Sequence, residues 1–446
     1  MIETLLHDFK TLGDKIAIIT PTDVINYNGL SEAVTEWESE IISSKISNGQ
    51  VVLLKGDFSK NSISALLALL KKKMIVILLA PQSYELEEEY CEIGNPEFVI
   101  DSSEKSIKKL NYYSNHQLYE QLRKQDEAGI ILFSSGSSGK PKGTVHNASK
   151  LFQKFRTSGK SFRTLAFLLF DHIAGIDTLF YNLFNQSTLI LPKNRQPENI
   201  FLLIEEHKIE VLPTAPSFLN LMLLSGAHKK YDISSLKIIT YGSEMMPVST
   251  LRRCADELPH VRLLQKYGTS EIGALPTKSK SNDSIWLKLG GRGFDWRVQD
   301  DMLEIKATTA MIGYLNAPSP FTDDGYFKTG DKVETDGEYI KFLGRKSDII
   351  NVGGQKVFPA EVENAIRQIH EIHEVSVYGE EHAILGSVVV AKIRPLSNNL
   401  DVRELRKLIR KELFGKIESF KIPQKYVLSN EQLSTARGKQ IRKSGA

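Results

Sequence analysis

Cysteine is scarce in this chain: Cys91 and Cys254 are the only two in 446 residues, far apart and without CxxC spacing or histidine-rich surroundings. Neither a disulfide framework nor a cysteine zinc site can be built from them, and the count fits a reducing cytosol. Charge of one sign is scarce too. The 57 lysines and arginines face 54 acids, a net +3, which gives no reason to expect nucleic acid as a partner. Long apolar runs are missing. "ISALLALLKKKMIVILLAP" is broken by Lys71, Lys72 and Lys73, and "LAFLLFDHIAGIDTLFYNLF" carries Asp171, His172 and Asp177, so neither reads as a membrane span. The amino terminus, MIETLLHDFK, has Glu3 and Asp8 and no apolar core, unlike a signal peptide. A cytoplasmic location is expected. What remains is an ordinary globular composition, 41% apolar and 25% charged, in a chain long enough for two or three domains.

Short apolar runs alternate with helical ones. "VVLLKG", "MIVILLAP", "PEFVID", "GIILFSS", "TLAFLLF", "STLILP", "EVLPTAP" and "LKIITYG" read as buried parallel strands. Asn61 to Leu70, Lys150 to Arg156 and Pro197 to His207 have helical period. From about Ile285 the texture changes to short strands between Gly and Asp turns. After Arg345 a helix, two strands and a strongly charged helix form a separate α+β unit. The expected fold class is α/β: a large N-terminal domain, 1–346, of parallel-rich sheets with helices and a small β-rich subdomain, then a small mobile α+β C-terminal domain, 347–446.

One stretch of low complexity, SSGSSG, interrupts "ILFSSGSSGKPKGTVHN". It reads as a linker or as a phosphate cradle. An apolar strand enters it, lysines leave it, and Asn147 is placed to cap a following helix. Strand, Gly/Ser loop, lysines and helix is a layout in which backbone N–H groups, hydroxyls and ammonium groups converge on an anion. It is not a Walker A loop, because only Ser137 and Ser138 separate Gly136 from Gly139 and Pro141 follows Lys140.

The stretch resembles the phosphate-binding loop of the adenylate-forming superfamily (acyl-CoA synthetases, peptide-synthetase adenylation domains, luciferases), whose common form is TSGTTGKPKG. Ser135, Gly136, Gly139, Lys140, Pro141, Lys142 and Gly143 match. Further stretches resemble the family's motifs in the right order: "YGSEMMP", "KYGTSEIG", "GYLNAPSPF", "GYFKTGD", "GRKSDIINVGGQKVFPAEVE" and "STARGKQIR". They run from Ile131 to Lys443, most of the chain. There are departures: Ser243 for a glycine, Ser347 for the usual Asp or Lys, and Leu433 for a proline.

The resemblance implies an AMP-forming acid–thiol ligase. It would join a fatty or aryl carboxylic acid to AMP with ATP and Mg²⁺, then pass the acyl group to coenzyme A. Nucleotide binding would fall to Ser134, Ser135, Gly136, Ser137, Ser138, Gly139, Lys140, Lys142, Gly242, Ser243, Glu244, Tyr267, Gly268, Thr269, Asp331, Arg345 and Lys439. Chemistry would fall to Lys439, Thr269, Glu271 and His172, with Glu271 the Mg²⁺ ligand. His172, Ile173, Gly175, Tyr241, Gly242 and Gly268 would line the acid pocket. Gly353, Gly354 and Gln355 would border the CoA path, and Ser347 would be the hinge. Asp171 adjoins His172 where amino-acid-activating relatives hold an amine, but an acid without an α-amine is favoured. Two rivals remain open: an acyl carrier protein as acceptor, and a non-catalytic nucleotide-binding module.

Overall fold

The computed structural model describes residues 1–135, 140–157, 159–382, 384–396, 401–431 and 433. Two seven-stranded sheets form the larger part. The first runs Gly313–Tyr314, Pro141–Asn147, Gly129–Ser135, Ile75–Leu79, Val51–Lys55, Phe98–Asp101, Ser106–Lys109. Its four middle-to-late strands from Gly129 to Asp101 are mutually parallel, and the remaining pairings are antiparallel. The second runs Arg262–Gln265, Ile238–Tyr241, Val211–Thr214, Arg163–Leu165, Thr188–Ile190, Ile16–Ile19, Val24–Asn26, parallel except at its last pair.

Parallel sheets covered on both faces need strands that are apolar throughout. Val51–Leu54 and Ile75–Leu79 satisfy this, every side chain being buried. Between them lies the helix Lys60–Lys71, started by Ser59, whose hydroxyl accepts from the Ser62 N–H. One apolar core joins this helix, Tyr27–Ser43 and Ile173–Phe184 to residues of both sheets, including Ile18, Leu189, Val52 and Val76.

A six-stranded antiparallel sheet follows, ordered Thr277–Ser279, Leu287–Leu289, Tyr339–Arg345, Phe327–Asp336, Met302–Ala307, Phe294–Gln299, with its own core around Leu287, Leu303, Ile305 and Ile340. A further sheet is built from residues after Lys346: Gln355–Val357, Ile350–Val352, Gly386–Pro395 and Ile372–His382, with Lys425–Leu428 beside Gly386–Pro395. The helices Pro359–Ile366 and Val402–Leu413 cover it, and among the described residues its buried core runs from Ile350 to Tyr426. The parallel-rich layers, the β-rich subdomain and the α+β unit are those the sequence leads one to expect. Among the described residues no helix is long and apolar enough to cross a membrane.

Two local expectations need correction. "TLAFLLF" forms a strand only over Arg163–Leu165. Its later residues turn into the core, where the Phe167 ring meets Phe218 at 4.6 Å. More consequentially, no helix follows the Gly/Ser loop directly. Pro141–Asn147 is a strand, hydrogen-bonded antiparallel to Gly129–Ser135 with Ser135 opposite Pro141 and Gly129 opposite Asn147. The two strands therefore form a hairpin whose facing ends are Ser135 and Pro141. Asn147 does cap the helix Ala148–Phe152, its side chain accepting from Lys150 N at 3.1 Å, but at the far end of that hairpin.

Candidate active site

Three neighbouring parallel strands, Val211–Thr214, Ile238–Tyr241 and Arg262–Gln265, end together, and the candidate residues follow their carboxyl ends. After the middle strand the chain turns at Gly242 and Ser243. A Cβ on Gly242 would lie 2.8 Å from the Lys266 carbonyl oxygen, so the close approach demands glycine. Ser243 adopts a left-handed φ of 69° that its family counterpart, a glycine, takes without strain. Glu244 reaches back to the start of the helix Pro216–Ser225, accepting from Ser217 N at 3.1 Å and Ser217 Oγ at 2.7 Å. Burial pushes its carboxyl up to about 7. Tyr241 is buried.

After the third strand, Gly268–Thr269 pairs with Gly273–Ala274 as a tight hairpin. A Cβ on Gly268 would meet the Gly273 oxygen at 2.5 Å, which again fixes glycine. The Thr269 hydroxyl accepts from Glu271 N at 3.2 Å, and Tyr314 donates its hydroxyl to Glu271 Oε1 at 2.6 Å. Burial, then the Glu271 charge, raise the Tyr314 phenol well above its ordinary value. Tyr314 belongs to the short strand Gly313–Tyr314, which pairs with Thr144 and Val145 of the Gly129–Asn147 hairpin. Next to it Asn316 clamps the same hairpin: Gly143 N donates to its Oδ1 at 3.1 Å, and its Nδ2 donates to Pro141 O at 2.8 Å. Lys142 lies with its ammonium 5.6 Å from the Tyr314 ring centroid, across from Ser134 in the ladder, and Lys140 is exposed beside the tip. His146, fully buried, shares a 2.6 Å hydrogen bond with the Ser270 carbonyl, and burial lowers its ring to about 4. The neutral imidazole thus ties the Glu271 hairpin to the Gly129–Asn147 hairpin.

Asp331 and Arg345 face each other across the strands Phe327–Asp336 and Tyr339–Arg345. Asp331, 8% exposed, accepts from Tyr267 Oη at 2.6 Å and from Arg345 Nε at 3.2 Å. Burial raises its carboxyl above the ordinary value, against the pull of Arg345 and Tyr267. Burial and the Asp331 charge raise the Tyr267 phenol in turn. The Tyr267 ring stacks on Phe342 at 4.5 Å, and the Arg345 side chain remains 55% exposed, open to a ligand. Sequence-separated Lys142, Thr269, Glu271, Asp331 and Arg345 are thus joined through Tyr314 and Tyr267.

The acid-side residues have structural employment. His172 caps the helix Ile173–Phe184, its Nδ1 accepting from Ala174 N at 3.3 Å. Ile173 is buried in the main core. A Cβ on Gly175 would sit 1.9 Å from the Leu169 oxygen, so glycine lets this helix start against the preceding turn. Asp171, 1% exposed, accepts from Ser83 Oγ at 3.0 Å. In the C-terminal unit Gly353 and Gly354 have φ of 55° and 83° and join Ile350–Val352 to Gln355–Val357 in a two-residue hairpin, a turn that itself requires positive φ at both places. Ser347, exposed, lies in the short turn Lys346–Asp348 and donates to Asp348 Oδ1 at 2.9 Å. Leu433 is buried and its N–H donates to Glu374 Oε2 at 3.0 Å, a bond that proline could not make. Gly136, Ser137, Ser138, Gly139 and Lys439 lie outside the described residues.

The motif spacing did not point to the work of Tyr314, Asn316 and His146. The first two stand in "GYLN", and the third directly before the helix cap Asn147, so a question about which strand the loop returns on would have found them. A magnesium ion fits Glu271 on donor chemistry. Its carboxylate offers hard oxygen, and among the described residues no group of three or more His, Cys, Asp or Glu could hold a metal. Such a site suits an ion that brings waters and substrate phosphates as its other ligands.

Comparison with known proteins bears on the family and the fold. A family model described as AMP-binding enzyme matches residues 47–290, more than half the chain, and the AMP-binding enzyme C-terminal domain matches 361–439. Indoleacetate–CoA ligase of Aromatoleum aromaticum is 29% identical over 339 residues, covering 70% of this chain and 65% of that one. The chain spans 56% of the length of two further CoA ligases it matches. L-proline–[L-prolyl-carrier protein] ligase of Pseudomonas fluorescens is 23% identical, covering 90% and 91%. A solved o-succinylbenzoate CoA synthetase of Bacillus subtilis, in complex with its acyl-adenylate intermediate, has the same fold, with TM-score 0.81 over 98% and 96% of the two chains at 19% identity. By its motifs, its fold and the matched residues, the chain belongs to the AMP-binding enzyme family, within the adenylate-forming superfamily.

Proposed function

We propose that the chain is an AMP-forming acid–thiol ligase that activates a carboxylic acid with ATP and transfers the acyl group to coenzyme A. The observation that carries this reading is the linked set Lys142, Tyr314, Glu271, Thr269, Tyr267, Asp331 and Arg345 at the strand ends. A carboxylate is a poor electrophile until it has a leaving group. Its oxygen would attack the α-phosphorus of ATP as the bond to pyrophosphate breaks, leaving acyl-AMP. The thiol sulfur would then attack the acyl carbon as the bond to AMP breaks. Both steps join or separate anions, so the protein's task is placement and charge stabilisation.

In this reading Asp331 accepts from the ribose hydroxyls, with Arg345 beside it reaching ribose or phosphate. The Thr269 hydroxyl donates to phosphate. The serines and lysines of the hairpin tip cradle the β- and γ-phosphates, and Glu244 and the Gly242–Ser243 turn border the adenine. Glu271 holds Mg²⁺, which when bound offsets phosphate charge. Lys439 supplies a mobile cation between carboxylate and phosphate from the C-terminal domain, 347–446, which pivots at Ser347 against 1–346. In the thiol step Gly353, Gly354 and Gln355 flank the acceptor. His172, Ile173, Gly175, Tyr241 and Gly268 shape the acid pocket. Because Asp171 already takes the Ser83 hydroxyl in the interior, it is poorly placed to hold an α-amine, which favours a fatty or aryl acid. The relative that loads a carrier protein keeps an alternative acceptor in play.

The test is pyrophosphate release over a panel of acids with purified chain and MgATP, followed by addition of CoA. The expected result is acid-dependent pyrophosphate and, with CoA, acyl-CoA and AMP. Acyl-AMP that accumulates despite CoA would overturn the acceptor. No pyrophosphate with any acid would overturn the enzyme reading in favour of a nucleotide-binding module.

A further inference from the structure

The segment 311–316 runs between two hairpins of the site and is bonded to both. On one side Met311 N donates to Glu271 O at 2.7 Å. On the other, Ile312 N donates to Val145 O at 2.8 Å and Leu315 N to Gly143 O at 2.9 Å. Asn316 adds its side-chain bonds to Gly143 and Pro141. The backbone of this segment is thus held in register against both neighbours, which fixes where the Tyr314 side chain leaves it. From there the Tyr314 hydroxyl reaches Glu271 Oε1 at 2.6 Å, and the Lys142 ammonium stands 5.6 Å from the centroid of the same ring. One side chain therefore lies between the carboxylate assigned above to the metal and an ammonium assigned to the phosphates.

A glutamate side chain has several soft torsions, so its carboxylate needs an outside partner to keep one orientation. Of the described residues, Tyr314 is the side chain that donates to Glu271. A phenol donates a single hydrogen, which takes one lone pair of Oε1 and leaves Oε2 for another ligand. Outer partners of this kind orient metal-binding carboxylates and set much of their affinity. The ring does separate work: its electron-rich face attracts the Lys142 ammonium. A metal that carries phosphates to Glu271 and a lysine that meets phosphates must suit one nucleotide, so the spacing between them matters. Tyr314 sets that spacing by touching both.

Resting on the ligase reading above, and within it on Glu271 as the Mg²⁺ ligand, we infer that Tyr314 is a positioning residue that couples metal binding to phosphate binding. Its hydroxyl aims the Glu271 carboxylate at the ion, and its ring keeps Lys142 beside the phosphates that the ion carries. The ribose side is independent of it, because there Tyr267 holds Asp331. Removing the hydroxyl should therefore weaken the metal and spare the nucleoside.

The experiment uses two variants of the full chain. Tyr314→Phe removes the hydroxyl and keeps the ring, and Tyr314→Leu removes both. Mn²⁺ binding is read by electron paramagnetic resonance with the chain in excess over α,β-methylene-ATP, whose bridge between the α- and β-phosphorus resists cleavage. AMP binding is read by calorimetry without metal. In Tyr314→Phe the Mn²⁺ dissociation constant should rise about 10- to 100-fold, the range for loss of an outer partner of a metal ligand. Its AMP affinity should stay near the native value. Tyr314→Leu should also lose metal-free affinity for α,β-methylene-ATP relative to AMP, by about threefold, the scale of one exposed cation–π contact. In pyrophosphate release Tyr314→Phe should need more Mg²⁺ for half its maximal rate, yet recover a near-native kcat when Mg²⁺ saturates. A Mn²⁺ constant unmoved in Tyr314→Phe, or Mn²⁺ and AMP affinities that fall together, would overturn this inference and leave the ligase reading standing. A native chain that binds no Mn²⁺ with the nucleotide would overturn the metal role of Glu271 and this inference with it. If the native chain binds Mn²⁺ and AMP but releases no pyrophosphate with any acid, the ligase reading falls, and the Mn²⁺ comparison still decides the role of Tyr314.

Discussion

Asp331 and Gly354 both stand in family motifs, yet the two regions around them are built differently. Asp331 is buried and held by a phenol at 2.6 Å and a guanidinium at 3.2 Å, and Glu271 and Glu244 are likewise each held by a neighbouring hydroxyl. Gly353, Gly354 and Ser347 sit in turns held by few bonds, Gly353 N donating to Leu385 O at 2.8 Å and Ser347 Oγ to Asp348 Oδ1, and no Cβ contact within 4 Å opposes a side chain at Gly354. A nucleotide site gains from groups fixed before the ligand arrives, because charge stabilisation then needs no reorganisation. A segment that must present itself in one half-reaction and withdraw in the other gains from having few bonds to break. The contrast predicts that damage on the two sides will look different.

The largest effect should come from the one proposed catalytic group that the C-terminal domain carries. Lys439→Ala should slow single-turnover adenylation by about a thousandfold, the upper range for loss of one charge-stabilising donor. Nucleotide affinity should barely change, because the groups assigned to ribose and phosphate lie in the larger domain. Adenylation at the native rate would break the division of labour between the regions. Next in size is Asp331→Ala. It deprives Tyr267 and Arg345 of their acceptor, so it should cost stability as well as nucleotide binding, on the order of 3 kcal/mol in denaturant melts. Asp331→Asn, which keeps an acceptor of the same shape, should recover most of the stability and little of the binding. Equal losses in both variants would mean that the carboxylate charge, not its hydrogen bonds, holds the cluster together.

Gly354→Ala sharpens the other half of the contrast. With φ at 83° and no neighbour in reach, the expected cost is about 1 kcal/mol from backbone strain alone. Acyl-AMP formation should survive, while acyl transfer to CoA should slow if the thiol passes this turn. A variant that slows both steps alike would place the turn outside the acceptor path.

The same contrast explains what could be read from the chain. Strands buried on both faces, such as Ile75–Leu79, declare themselves by apolar runs, and the motif order groups Thr269, Glu271, Asp331 and Arg345 as one expected site before any geometry. Pro141–Asn147 does not declare itself. Its Pro, Gly, Lys and His residues look like loop and helix cap, and it is a strand because Gly129–Ser135 lies on one side and Gly313–Tyr314 on the other. Tyr314, Asn316 and His146 were hidden for the same reason: their partners lie far away in sequence, and only the register brings them together. Gly175 and Gly353 show the opposite limit. Each fits a motif, but a close carbonyl at the first and a tight turn at the second already demand glycine, so the motif match adds less about function than it first suggests.

The smallest expected effect lies where the two regions meet. Glu244 in the larger region is near Arg367 and Glu363 of the C-terminal unit, and burial raises its carboxyl from 4.5 to about 7. A carboxyl whose folded value lies above its unfolded value binds its proton more tightly when folded. Its contribution to stability is therefore fullest at low pH, declines as pH rises from 4.5 towards 7, and is gone above that. Glu244→Gln removes this titration and keeps an acceptor for Ser217. The native chain should thus lose stability relative to Glu244→Gln across that window, by roughly 1 kcal/mol once the remaining solvent contact of a partly buried group is allowed for. The measurement is the difference in melting temperature between the two chains as a function of pH. If the C-terminal unit moves away from Glu244 when an acid and MgATP are bound, part of the burial is relieved and the pH slope should shrink. A slope unchanged by substrates would mean that Ser217 and the turn, not the C-terminal unit, hold Glu244 out of water.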